Sequence, residues 1–168
     1  MTEFTDLLAG GVGRTDSPPY SLYPVTLTHL EKSLAVVVGG GVVGERKVRG
    51  LLAANVRVRL IAPAATPALS AWAENSQIEW MQREFQPGDL AEAGIVFAAT
   101  NVRAVNQAVT DEALGRGLLV NVADVPAEGN FHAPAVHRTD EALIAISSYA
   151  GRPHIATRLR DRIAALLG

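Results

Sequence analysis

Residues 34–47 read LAVVVGGGVVGERK, and this stretch decides the fold. Leu34–Val38 is a continuous apolar run without polar alternation, as in a strand covered on both faces. Three glycines follow directly, and a fourth stands at position 44. Gly39, Gly41 and Gly44 fit the pattern G-x-G-x-x-G. Each position has a physical reason: the first glycine turns the chain sharply out of the strand, the second lets a pyrophosphate approach the backbone, and the third lets a helix pack close to the sheet. The helix N-terminus then offers free N–H groups and a positive dipole end to phosphates. From 42 onward Val48, Leu51 and Leu52 fall on one helical face, with Glu45, Arg46, Lys47 and Arg49 elsewhere. The glycine pattern alone is weak. Here it follows a strand, opens a helix and leads to a second strand, the context that separates a dinucleotide cradle from a merely tight turn.

The same alternation continues in both directions from the loop. Strands are expected at 56–61, 78–81, 95–98 and 118–122, and Thr66 is placed to cap a helix through Leu69 and Trp72. Residues 87–91 suggest one helical turn. Val105, Val109 and Ala113 recur every four residues on a further helix. This β-α-β-α-β order predicts an α/β fold of Rossmann type, a doubly wound parallel sheet with helices on both faces. After Asp124 the rhythm changes. Residues 143–147 read as a strand that could pair with 131–136, and 154–167 as a helix with Ile155, Leu159, Ile163 and Leu166 on one face, Pro153 lying at its start. The expected organisation is a flexible leader over 1–19, a nucleotide-binding domain over 20–124, and a strand-and-helix segment over 125–168.

Composition removes several function classes. The chain has 168 residues, 48% hydrophobic and 5% aromatic, so Val, Leu, Ile and Ala must fill the core. A net charge of −2 offers no basic excess for nucleic acid. There is no cysteine, which removes disulfides and thiolate metal sites and fits a reducing compartment. No apolar run reaches the roughly 18 residues of a membrane span, and no signal peptide opens the chain. The expectation is a soluble cytoplasmic protein. His132 and His137 are five apart, which suits neither one helical face nor one strand face, so no histidine metal site is expected. Ser147 and Ser148 lack a G-x-S-x-G elbow, so no serine nucleophile is expected either.

One customary part of a dinucleotide site is missing. An acid normally follows the second strand by about 20 residues and holds the ribose hydroxyls. Here Ala62, Pro63 and Ala64 stand in its place. Arg57 and Arg59 hint at a 2′-phosphate but also suit the exposed positions of a strand near the sheet edge, so the residues leave NAD and NADP open. FAATN at 97–101 puts small residues, with Thr100 and Asn101, at the carboxyl edge of the sheet, where open α/β sheets bind ligands. Those residues leave room for a nicotinamide ribose, and they equally suit close packing of strand on helix. Asp124 follows the fifth strand at that same edge. It could accept a proton beside a nicotinamide, yet a turn-initiating Asp before Val125-Pro126 is the commoner use. Glu128 reads as a solvated loop residue. Arg152, Arg158, Arg160 and Arg162 crowd the last helix against Asp161, as a solvated face or a site for a polyanion or a partner subunit.

Taken together these segments resemble a known family. From about Tyr23 onward, YPVTLTHLEKSLAVVVGGGVVGERKVRGLL, VRVRLIAP, FAATN…VN, LLVNVADVPAEGNFHAPAV, LIAISSYAGRP and ATRLRDRI are similar to the N-terminal dehydrogenase module of siroheme synthases and to stand-alone precorrin-2 dehydrogenases. The order and spacing of the glycine loop and the N-V-x-D…F…P segment carry the resemblance. It implies NAD-dependent oxidation of precorrin-2 to sirohydrochlorin, with iron insertion at the same site in some members, and a homodimer. By position it implies that Val42, Val43, Pro63 and Ala64 touch NAD beside the glycines. It makes Asp124 the catalytic aspartate, against the preference drawn from composition. Ser148, and Arg152 beside it, fall in the substrate cleft. Two departures stand out. Tyr149 and Ala150 replace two glycines of the family pattern. The chain also stops at Gly168, one helix into the family's dimerisation region, so the expected dimer is reduced or assembled differently. Two other readings fit the residues: a nucleotide-sensing module without catalysis, and a sirohydrochlorin chelatase or carrier without dehydrogenase activity.

Overall fold

The structure is a computed structural model that describes residues 22–148 and 152–167. Residues 22–29 run without regular secondary structure and leave Tyr23 and Val25 exposed, so this stretch is an arm rather than a strand. A 3-10 turn, Leu30–Lys32, leads into the sheet.

Five parallel strands follow: β1 (Leu34–Val38), β2 (Arg57–Ile61), β3 (Glu79–Met81), β4 (Ala93–Ala98) and β5 (Leu119–Val122). Their order is β3-β2-β1-β4-β5, and every pairing is parallel. The chain therefore winds outward from β1 in one direction, returns, and winds outward in the other, as the sequence predicts for a doubly wound sheet. All five residues of β1 are buried, which is why its sequence shows no alternation.

The helices α1 (Val42–Leu52), α2 (Pro67–Glu74) and α3 (Arg103–Gly115) cover two faces. One core joins Val48, Leu51 and Leu69 to Val37, Leu60, Ile95 and Phe97. The other joins Val109 and Ala113 to Val36, Val96, Val120 and Val122. Burial of each such side chain contributes about 1.5–3 kcal/mol. Thr66 caps α2 as expected, its hydroxyl accepting from Leu69 N at 3.3 Å. The expected helical turn over 87–91 is instead a series of turns, with Arg83 paired to Asp89 at 2.7 Å across it. That ion pair, together with Gly88 at φ 98°, closes the segment in a shape that a helix could not hold.

Beyond the sheet an antiparallel hairpin, β6 (Ala135–Arg138) and β7 (Leu143–Ile146), packs under α4 (Pro153–Leu167). The first hairpin strand starts later than expected because Phe131 turns back to meet Phe97 edge-on, 5.5 Å between centroids. Ala156 is the buried residue of α4. On the apolar face of this helix Leu159 and Leu166 lie exposed. The expected leader at 1–19, and Tyr149 and Ala150, lie outside the described residues. No helix among the described residues is long and apolar enough to cross a membrane.

Candidate functional site

Strand registers align four positions at the carboxyl edge: Val38 opposite Ile61 and Ala98, and Ala98 opposite Val122. The ladder runs one residue further. Gly39 N donates to Ile61 O at 3.0 Å, Ala99 N to Val38 O at 2.8 Å, and Ala123 N to Ala98 O at 2.9 Å. The next row is therefore Gly39, Ala62, Ala99 and Ala123, all small. The edge is a floor that a flat ligand could approach closely.

The glycine loop rises from this floor. Gly39 has φ 121°, and a Cβ there would meet Ala99 O at 2.4 Å. A Cβ on Gly44 would meet Gly39 O at 2.0 Å. Turn and close packing thus account for the first and third glycines of the pattern. Gly41 differs: its backbone is ordinary (φ −83°), and a Cβ there would meet nothing within 4 Å. Its lack of a side chain leaves open space at the N-terminus of α1. The first helical hydrogen bond is Glu45 N to Gly41 O, so the N–H groups of Val42, Val43 and Gly44 precede it and no side chain caps them. A pyrophosphate fits this cradle: donors without intrahelical partners, a positive dipole end, and no side chain in the way.

Gly40, an unconstrained position of the pattern, is the tightest glycine. A Cβ on it would fall 1.9 Å from Ala64 O, and Gly40 O accepts from Thr66 N at 3.0 Å. These contacts bring exposed Pro63 and Ala64 beside the glycine loop. No acid stands there. Arg59 is engaged by Glu79 at 2.9 Å and Glu92 at 3.2 Å, and Arg57 begins β2 at its amino end. Neither arginine is held ready at the carboxyl edge.

Thr100 lies on the other side of the loop. Asn106, fully buried on α3, clamps it: Asn106 Oδ1 accepts from Thr100 N at 3.0 Å, and Asn106 Nδ2 donates to Thr100 O at 3.0 Å. Asn101 follows, exposed.

Asp124 stands one residue past the row of small side chains, about one-third exposed, with Arg103 Nη1 at 3.9 Å. Arg103, at the start of α3, also binds Glu128 and reaches Gln107 at 2.6 Å. Glu128 is therefore not a solvated loop residue but the second arm of an Arg103 latch across the Asp124 turn. Asn130 and Asn121 hold the rest of this turn against the free edge of β5. Asn130 accepts from Val120 N and donates to Leu118 O, each at 2.8 Å, and Asn121 Nδ2 donates to Phe131 O at 3.1 Å. Arg103, Asn106 and Asn130 were not among the residues expected from sequence. An isolated polar residue in a helix or turn gives no local sign of a partner across the fold.

The structure thus gathers Gly39, Gly41, Val42, Val43, Gly44, Pro63, Ala64, Thr100 and Asp124 at one edge of the sheet. Ser148 and Arg152 sit apart from that network. Ser148 Oγ donates to Arg152 O at 2.6 Å just before α4, and among the described residues no hydrogen bond or ion pair links them to the carboxyl edge.

Residues 27–135 match the protein family described as "Putative NAD(P)-binding". The chain is 38% identical over 138 residues to siroheme synthase 1 of Aeromonas salmonicida (strain A449), covering 82% of this chain and 30% of that protein. It is 38% identical over 148 residues to the siroheme synthase of Xylella fastidiosa (strain M12), covering 88% of this chain and 31% of that one. It therefore spans under a third of the length of these relatives. Among solved structures it is similar to SirC, a precorrin-2 dehydrogenase, with 26% identity and a TM-score of 0.73, over 86% of this chain and 71% of that one.

Proposed function

We propose that this chain, which belongs to the family described as "Putative NAD(P)-binding", is a precorrin-2 dehydrogenase that forms sirohydrochlorin on the way to siroheme. The observation that carries this reading is the placement of Asp124 at the same sheet edge as the glycine cradle, in a chain similar to a precorrin-2 dehydrogenase over most of both lengths. Oxidation of the macrocycle removes a hydride from carbon and a proton. Bound NAD supplies the hydride acceptor. The chain's own residues do the rest. The N–H groups at the start of α1 hold the pyrophosphate. Pro63 and Ala64 offer a neutral, apolar wall at the adenosine side, and Thr100 and Asn101 border the nicotinamide side. Asp124 accepts the proton, and Arg103 fixes the turn that presents it. Engagement of Arg59 by two glutamates, with Arg57 at the amino end of β2, leaves neither strand-two arginine at the carboxyl edge for a 2′-phosphate and favours NAD over NADP.

Ser148 and Arg152 border the substrate cleft in this reading. The partner subunit is a second copy of the chain, docked through the hairpin and α4, whose Leu143, Leu159, Leu166 and Leu167 are exposed. Sedimentation should then give a dimer. The protein acts in the cytoplasm, which suits a cysteine-free chain. The test of function is an anaerobic assay with freshly generated precorrin-2, with and without NAD, that follows sirohydrochlorin by its absorption. Conversion that depends on NAD supports the reading. NAD binding without conversion would place the chain among nucleotide-sensing modules instead.

A further inference from the structure

Lys47 is a cation that the fold partly buries without giving it an acid. It follows Val43 by four residues, so the two share one line of α1, a turn apart. Its Nζ lies 5.4 Å from the ring centroid of Phe97 on β4, two residues before the small-residue row at Ala99. Phe131 meets the same ring edge-on. Among the described residues no carboxylate forms an ion pair or hydrogen bond with this ammonium. Burial, with repulsion from Arg46 added, pushes its pKa down to about 8.

The surroundings form a shelf. α1 packs over β1 and β2, whereas α3 covers β4 and β5 from the opposite face. On the α1 side, the cover over Phe97 and Asn121 includes Phe131, whose carbonyl Asn121 holds. Charged groups near the lysine are few. β1 and β2 turn Ala35, Val37, Val58 and Leu60 to α1, none of them titratable. α2 carries Glu74 as its charged residue. On α1 itself Glu45 is already paired with Arg49. The segment after β5 brings Phe131 and then His132. A desolvated ammonium with only an aromatic face for a partner is unfavourable in the free protein and is relieved by an incoming anion.

We propose that Lys47 binds an anionic group of the substrate, a peripheral carboxylate, on the shelf formed by α1, Phe97 and Phe131. The inference rests on the dehydrogenase reading for its ligand, a macrocycle bearing many carboxylates. Phe97 is buried and backs the site from within the core, while Phe131 is partly exposed and offers the apolar surface beside the charge, so one end of the shelf takes ring carbon and the other the carboxylate.

The test is an anaerobic equilibrium titration of sirohydrochlorin against wild type, Lys47→Met and Lys47→Arg, with NAD titrated in parallel. The Met variant keeps the stem over Phe97 and removes the charge. It should weaken sirohydrochlorin binding about tenfold or more at about pH 7, while the Arg variant stays within about threefold and NAD binding is unchanged in both. Wild type should lose affinity between about pH 7 and about pH 9 as the ammonium deprotonates, and the Met variant should not. Binding by the Met variant within about twofold of wild type at about pH 7, or no binding by wild type, overturns the assignment. Should the Met variant fail to fold, the pH dependence of wild type decides alone. Charge-dependent binding without NAD-dependent turnover would defeat the dehydrogenase reading and leave this site standing.

Discussion

The backbones of Gly40 and Ala64 touch: a Cβ on Gly40 would fall 1.9 Å from the Ala64 carbonyl oxygen. With the bond from Thr66 N to Gly40 O, this contact ties the glycine loop to the turn that ends β2. Two neighbouring glycines therefore have separable duties. Gly40 holds the walls of the site together, and Gly41 keeps its centre open.

Gly40→Ala must displace backbone, so it should destabilise the fold by about 1–3 kcal/mol and also weaken NAD binding. Gly41→Ala has room for its methyl group in the free protein and should unfold within a degree or two of wild type. In the proposed site its methyl group would occupy the phosphate space, so NAD binding should weaken at least about tenfold. Thermal unfolding and NAD titration of the two variants separate the roles. Equal stability loss in both would contradict the assignment.

Asn106 is buried and meets both the N–H and the C=O of Thr100. Asn106→Ala removes those partners at once and should cost about 2–3 kcal/mol in denaturant unfolding. If Thr100 borders the nicotinamide, as proposed above, NAD affinity should fall as well. Wild-type stability in this variant would mean that the clamp contributes nothing.

Arg103 joins the start of α3 to Glu128 and approaches Asp124. It is largely exposed, so Arg103→Gln should change stability by less than about 1 kcal/mol. If it positions the Asp124 turn, kcat should drop about tenfold or more while NAD affinity stays near wild type, and Arg103→Lys should recover part of the loss. An unchanged kcat would reduce the latch to a surface contact.

Asp89 gives the fold an acid-sensitive lock. The hydrogen bonds from Arg83, with a further one from Gln86 N–H, hold its carboxyl below the usual carboxylate range, against the opposing effect of burial. A folded-state value below the unfolded one adds stability that is fully present above the ordinary carboxylate pKa and is lost as pH falls through the folded value. Asp89→Asn should therefore lower Tm by a few degrees at neutral pH, and the gap to wild type should narrow below about pH 4. A gap independent of pH would remove the charge from the account.

Local pattern and spatial proximity explain what was legible in the sequence. β1 could be read because burial on both faces leaves an unbroken apolar run. Gly39 and Gly44 could be read because a turn and a helix each act on their own position, and Gly41 because the pattern asks for the open space that the structure has there. Gly40 could not, since its constraint comes from Ala64, a residue 24 positions later that only the sheet brings near. Arg103 and Glu128 were hidden for the same reason. Lys47 was set with Glu45, Arg46 and Arg49 off the apolar face, although its spacing from Val43 and Leu51 already placed it on a partly covered line of α1. Phe131 was taken for strand because nothing local shows that its ring folds back on Phe97. The exposure of Leu159 and Leu166 on α4 was not legible because helical periodicity shows that a face exists and not how much of it this chain covers.

The most direct test of the central claim compares wild type and Asp124→Ala in two measurements: NAD titration, and anaerobic conversion of precorrin-2 to sirohydrochlorin with NAD present. The account predicts NAD-dependent conversion by wild type and none above the protein-free rate by the variant, with NAD affinity within about twofold in the two proteins. Turnover by the variant at the wild-type rate would contradict it and remove Asp124 from the chemistry.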